Sequence, residues 1–219
     1  MSSTPFSQAL RERTQESHSS SESSGFMVEL CRGTATKEDF AALVSQHYFI
    51  YQAIESVAAQ LVDDEVAGEF IDQRLNRLPK LEADLRYLLG DNWREQITPL
   101  PSTARYVDRI LQSASWGGLF VAHHYTRYLG DLSGGLIIGK LVRKEYGLDE
   151  GGVSFYDFDE IENPKAFKES YRAALDSADW SDEEQERIID EVLLAYHFNN
   201  EVFADLDTTQ PHGLVLSHA

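Results

Sequence analysis

Apolar side chains recur at helical spacing along almost the whole chain. Phe6, Leu10 and His18 fall near one face of a first segment, and Phe167, Tyr171 and Leu175 stand four apart in a later one. That repeat marks a helix face packed on a core. The longest such run, Phe40 to Val62, carries Tyr48, Phe49, Tyr51 and Ile54. Strand-type alternation is nearly absent, and no internal repeat is visible.

Start and stop signals divide the pattern. Thr4 caps a first helix, with Pro5 at the first helical position, where a missing N–H costs nothing. The serine run Ser19 to Ser24 is weak helix sequence and is expected to end that helix, with Gly25 as its stop. Phe26 to Arg32 reads as a short helix closed by Gly33. Thr36-x-x-Asp39 then forms a capping box ahead of the long apolar helix. Further helices are expected at Glu65–Asn76, Pro79–Leu89, Thr103–Ser113 and Gly118–Tyr146. Asn163-Pro164 opens another, and Ser181-x-x-Glu184 caps the last, which runs to about Leu206. Gly147 to Asn163 is the main irregular connection. The fold class is all-α: one compact multi-helix bundle over residues 1–206, with a flexible tail at 207–219.

One expected helix is interrupted in a way its flanks do not explain. Gly130, Gly134 and Gly135 fall within Tyr128-Leu129-Gly130-Asp131-Leu132-Ser133-Gly134-Gly135, between two good helix-forming stretches. Each glycine inside a helix costs about 0.5–1 kcal/mol relative to alanine. Gly130 and Gly134 share one face, so they bare a strip of main chain. Such a strip serves either close helix–helix packing or the approach of something flat and bulky.

Charge and composition narrow the function classes. Lys and Arg number 19 and Asp and Glu 37, a formal net charge of −18. So acidic a surface argues against nucleic acid and against an anionic membrane. It fits a soluble monomer held apart by self-repulsion. Cys31 is the one cysteine, so no intrachain disulfide or thiolate cluster exists, as suits a reducing cytoplasm. The first residues show neither a basic nor an apolar signal region, and no apolar run approaches a membrane span.

The candidate chemistry lies in the histidines and a few cations. His123 and His124 are adjacent on a helix and cannot face one pocket. His47, beside Tyr48 and Phe49, reads as a packed or partly exposed ring, and His212 and His218 lie in the tail. His18 has Glu22 at i+4 and Arg11 seven residues before it. It is either a surface histidine in a helix ion pair or a metal ligand whose ring Glu22 orients. Lys168 and Arg172 are likewise either two solvated cations or a paired anion site.

Taken together these residues resemble the haem oxygenases, particularly the soluble bacterial ones, from about Phe6 to Leu206. The strongest segment, Val121-Ala122-His123-His124-Tyr125-Thr126-Arg127-Tyr128-Leu129-Gly130-Asp131-Leu132-Ser133-Gly134-Gly135, is similar to that family's distal-helix signature. His18 with Glu22 and Phe26-Met27, Lys168-x-x-Tyr171-Arg172, and Phe198 to Leu206 agree in order and spacing.

The resemblance implies haem b as both cofactor and substrate, between a proximal helix ending near Glu22 and a kinked distal helix from Gly118 to Tyr146. His18 is then the axial ligand of the haem iron, with Glu22 its partner. Gly130 and Gly134 admit the porphyrin to the distal backbone. Arg11, Tyr125, Lys168 and Arg172 match the positions that hold the propionates, and Met27, Ser133 and Tyr196 join the haem-contacting set. Asp131 matches the distal acid that organises proton-delivering water, with Tyr51, Arg127 and Asn199 in the same network. The implied reaction uses dioxygen and electrons from an external reductase or ferredoxin, and yields biliverdin, carbon monoxide and ferrous iron.

Two rivals remain. One is a non-catalytic haem-binding or trafficking protein, which has no use for a proton-relay carboxylate at Asp131. The other is a helical enzyme such as a thiamine-degrading hydrolase. It needs a cysteine nucleophile, and Cys31 is badly placed for that, beside the helix end at Gly33.

Overall fold

The computed structural model describes residues 4–208, and among these there is no strand. Ten α-helices follow in order. They are α1 Phe6–Glu22, α2 Gly25–Arg32, α3 Lys37–Gln60, α4 Leu78–Leu89, α5 Trp93–Gln96, α6 Pro101–Gln112, α7 Gly117–His124, α8 Leu136–Tyr146, α9 Pro164–Ser177 and α10 Asp182–Thr208. His212 and His218 and most of the expected tail lie outside the described residues.

Local chemistry fixes most boundaries. Thr36 accepts from the Asp39 backbone N–H at 3.1 Å, and the Asp39 carboxylate accepts from the Thr36 N–H at 2.8 Å. Ser181 and Glu184 make the same reciprocal pair at the head of α10. Asn163 accepts from the Ala166 N–H at 3.0 Å and opens α9. Gly33 and Gly147 close α2 and α8 in the left-handed region, at φ 72° and 61°.

Three sequence expectations need correction. The first helix starts one residue late: Pro5 sits outside it, in extended backbone at ψ 142°, with no side-chain cap. It does end within the serine run, as expected, with Glu22 its last residue and Ser23 its C-cap. The Ser21 hydroxyl donates to Asn200 Oδ1 at 2.6 Å, a tertiary bond to α10 that outweighs weak propensity. Gly25 does not stop α1 but begins α2, and Ser24 caps that helix by accepting from Met27 N–H at 3.4 Å. Finally, Glu65–Asn76 is two short 3₁₀ turns, Ala67–Phe70 and Gln73–Leu75. Asp64 binds the N–H groups of Val66 and Ala67, and Asp72 binds that of Arg74, so side chains satisfy donors that an α-helix needs.

The hydrophobic core is continuous, and its largest fully buried side chains include Trp93, Tyr51, Tyr106, Tyr128, Phe40 and Phe120. The long helix α3 packs against α4, α6 and α7, and α10 packs against α1, α2, α6 and α7. Between α7 and α8 the helix does not stop. It widens into two π-helical turns, Tyr125–Leu129 and Asp131–Gly135, which meet at Gly130. Such turns are rare and concentrate at functional sites.

A buried ionic cluster ties α10 to α6 and α7. His123 Nε2 donates to Glu191 Oε1 at 2.8 Å, and Arg109 grips both carboxylate oxygens, at 2.7 and 2.5 Å. Burial pushes the Glu191 carboxyl up. The hydrogen bonds from His123 and Arg109 outweigh it and bring the pKa down to about 2 from 4.5. A carboxylate with a depressed folded pKa stabilises the fold above its unfolded value and loses that contribution as pH falls. Glu191→Gln should therefore cost about 2 kcal/mol at neutral pH. In denaturant titrations the gap from wild type should close as pH falls from 4.5 toward about 2.

Candidate haem site

A cleft of about 130 Å³ opens between α1, the widened helix and α10. His18, Ser21 and Glu22 form one wall, and Arg127, Gly130, Asp131, Gly134 and Gly135 form the other. Met27, His47, Tyr156, Tyr196, Asn199 and Phe203 close the ends and floor.

The glycines of the widened helix divide between the two uses left open by the sequence. A Cβ built on Gly130 would meet nothing within 4 Å, and one on Gly134 would meet only the Glu22 carboxylate at 3.5 Å. A Cβ on Gly139 would fall 2.6 Å from Tyr156 Cβ. Gly139 therefore serves packing, whereas Gly130 and Gly134 present bare main chain to open space.

On the opposite wall α1 lasts long enough to bring Glu22 beside His18, with Oε2 3.5 Å from Nδ1. That contact is an ion-pair distance and not an aligned hydrogen bond, and Nδ1 is buried without another partner. The ring stands edge-on to Tyr196, with centroids 5.9 Å apart. A proton on Nδ1, held toward Glu22, leaves Nε2 as the basic nitrogen for a metal. Among the described residues no group of three or more His, Cys, Asp or Glu could hold a metal ion. A lone axial imidazole facing a bare glycine strip fits a planar metal macrocycle, which brings its other ligands with it.

Behind the glycine wall lies a polar network. The Tyr51 hydroxyl donates to the Asp131 carboxylate. Arg127 Nε donates to that same hydroxyl oxygen at 3.2 Å, and Arg127 Nη1 donates to Asn199 Oδ1 at 2.7 Å. The guanidinium also lies 4.9 Å from the Tyr51 ring centroid. All four residues are buried. Burial raises the Asp131 pKa against the pull of Arg127 and of the Tyr51 hydrogen bond. Burial also raises Tyr51 well above the ordinary tyrosine value, so the phenol keeps its proton. Asp131 thus holds a proton more readily than a free aspartate, as a proton-delivering group must.

Two of the remaining cations share a separate opening. Arg11 and Arg172 line it together with Ser7, Gln8, Glu12 and Gln15. Burial raises the Tyr125 phenol, and the charges of Arg172 and Arg11 pull it back. Lys168 Nζ donates to Leu132 O at 3.1 Å and to Ser133 Oγ at 2.7 Å. None of Arg11, Tyr125, Ser133, Lys168 and Arg172 lines the cleft itself. His123 and His124 diverge: His123 meets Glu191, and His124 Nδ1 meets Tyr171 Oη at 2.9 Å. Cys31 lines no part of the cleft.

The sequence reading left His47 out of the site. It lines the cleft one helical turn from Tyr51, and that i, i+4 spacing is the signal that could have found it.

Known proteins share this chain's fold and much of its sequence. The Heme oxygenase family model matches residues 4–205. The chain is 39% identical to heme oxygenase 1 of Synechocystis, over 90% of this chain and 83% of that one. It is 40% identical to a heme oxygenase of Pyropia yezoensis, over 91% and 85%. The solved structure of Synechocystis heme oxygenase-1 in complex with heme superposes with a TM-score of 0.89 at 38% identity, covering 93% of each chain. That of Synechocystis heme oxygenase-2 with heme and NO gives 0.89 at 37%, covering 93% and 86%. With a matched family model spanning nearly its full length, and an imidazole set opposite a side-chain-free helix wall, this chain belongs to the haem oxygenase family.

Proposed function

We propose that the chain is a haem-degrading monooxygenase. With dioxygen and external electrons it converts haem to biliverdin, carbon monoxide and ferrous iron. The observation that carries the catalytic reading is the buried Asp131 carboxyl, tied to Tyr51 and set on the cleft wall beside Gly130. A passive carrier needs the histidine and the glycines, but not that acid.

Bound haem supplies the iron centre at which dioxygen is reduced and the carbon edge that is oxidised. The chain's own residues do the rest. His18 holds the iron, and Glu22 fixes the orientation of its ring. Gly130 and Gly134 let main chain press on the porphyrin face. Arg11, Lys168 and Arg172, with the Tyr125 hydroxyl, grip the propionates and set the in-plane rotation that selects the carbon attacked. Met27, Ser133 and Tyr196 complete the seat. Asp131 passes protons through ordered water, with Tyr51, Arg127 and Asn199 holding its position.

The electron donor is a reductase or ferredoxin, and the charge of −18 favours a donor with a basic docking face. Among the described residues no helix is long and apolar enough to cross a membrane. We read the chain as a cytoplasmic monomer. Hemin, a reductant and oxygen added to the purified protein should bleach the Soret band and produce bilin absorption. A stable Soret band leaves only the carrier. His18→Ala should slow bilin formation about tenfold, and added imidazole should restore part of it. An electronic spectrum unchanged by that substitution rejects His18 as the ligand.

A further inference from the structure

His47 is a buried histidine with no part in the haem-degrading roles assigned to the other cleft residues. It lies in α3, is 7% exposed, and lines the cleft together with Arg127, Asp131, Gly135 and Tyr156. Its ring packs between Tyr51 and Phe155, with centroids 6.2 and 5.1 Å away. An apolar side chain would fill that space at no polar cost. Instead the imidazole buries Nδ1 with no hydrogen-bond partner from the protein. Unsatisfied buried polar atoms destabilise a fold, and where one persists it calls for a bound partner. Burial and the nearby Arg127 charge drive the His47 pKa well below the ordinary histidine value, so the ring is neutral. A neutral imidazole can donate at one nitrogen and accept at the other.

We propose that His47 is a positioning residue of the distal cleft, holding an ordered water beside the Asp131–Tyr51 pair. The proton-carrying water chain then has two fixed ends: the Asp131 carboxyl and the His47 ring. Tyr51 lies four residues further along the same helix, so α3 carries both His47 and the hydroxyl that orients Asp131. The inference rests on the haem-degrading reading for its effect on rate, but not for its effect on the bound water.

His47→Phe keeps the ring packing and removes both nitrogens. His47→Leu removes both nitrogens with a smaller aliphatic group, and serves should the phenylalanine variant fold poorly. His47→Gln restores a donor and an acceptor. Three quantities are read: the melting temperature of the haem-free protein, the pH midpoint of the acid–alkaline optical transition of the ferric haem complex, and the rate of bilin formation. The apolar variants should melt at or above the wild-type temperature. They should move the midpoint by at least about half a pH unit and slow bilin formation about tenfold. The glutamine variant should recover most of both losses. An unmoved midpoint and rate in the apolar variants, or a glutamine variant no better than they are, makes His47 plain core packing and overturns the proposal. If wild-type protein makes no bilin, the enzymatic reading falls, and the midpoint alone still decides whether His47 holds the water.

Discussion

Asp131→Ala should take up hemin at the wild-type stoichiometry and make bilin about a hundred times more slowly, the range lost when a positioned general acid is removed. The two halves of this expectation have separate causes. On the proposed reading haem uptake rests on His18, the bare glycines and the cations Arg11 and Arg172, and none of these uses the Asp131 carboxyl. Turnover depends on a proton arriving at the right moment. Tyr51 cannot substitute, because burial holds its pKa well above the ordinary value. Arg127 cannot give up its proton either. The fold should survive, since the buried Asp131 is held above its normal pKa and its charged form opposes folding. Stopped-flow spectra with a chemical reductant separate the outcomes. Bilin formed at the native rate removes Asp131 from the proton path, and failure to take up hemin assigns it a binding role instead.

Gly130→Leu should give the opposite division: a sounder apoprotein that scarcely binds haem. A Cβ at Gly130 meets nothing within 4 Å, so no packing is lost in the haem-free protein. Replacing a helical glycine removes about 0.5–1 kcal/mol of conformational cost. For a chain of this size that is a rise of about 2–4 °C in melting temperature per kcal/mol. The leucine side chain would project into the open space at Gly130, where the proposed reading seats a flat ring against main chain. An overpacking penalty of about 3 kcal/mol is close to a hundredfold loss of affinity. Hemin titration and thermal melts of the same preparation test both halves. Native affinity in Gly130→Leu means the ring does not lie against this wall. A lowered melting temperature means Gly130 serves packing after all.

The chain declares its fold class through spacing alone, because helix faces repeat over short distances and caps are read within four residues. Thr36 with Asp39 and Ser181 with Glu184 are of this kind. The features that escaped depend on distant partners or on competing side chains. Ser21 stays helical because Asn200, 179 positions away, accepts its hydroxyl proton. Asp64 and Asp72 turn a plausible helix into 3₁₀ turns by binding donors two or three residues ahead. The glycines marked the widened helix as special, yet composition does not distinguish a π turn from an α turn. The candidate site was legible where its residues share one segment, as Gly130, Asp131 and Gly134 do. His47 offered only its i, i+4 spacing from Tyr51, and its burial in the cleft comes from how α3 packs.

The anchoring of α1 is uneven. Its buried residues are Phe6, Ser7, Leu10 and Thr14, all in the first half. The half that carries His18 has no buried residue and is tethered to α10 by the Ser21 hydroxyl and by the contact of His18 with the edge of Tyr196. Few apolar contacts mean a small free energy of local opening. Local opening of that half like a door, with the core left shut, would let a rigid disc enter without the molecule unfolding. On the proposed reading a guest held by its iron to the door and by its acid groups to the frame would latch the entrance behind itself.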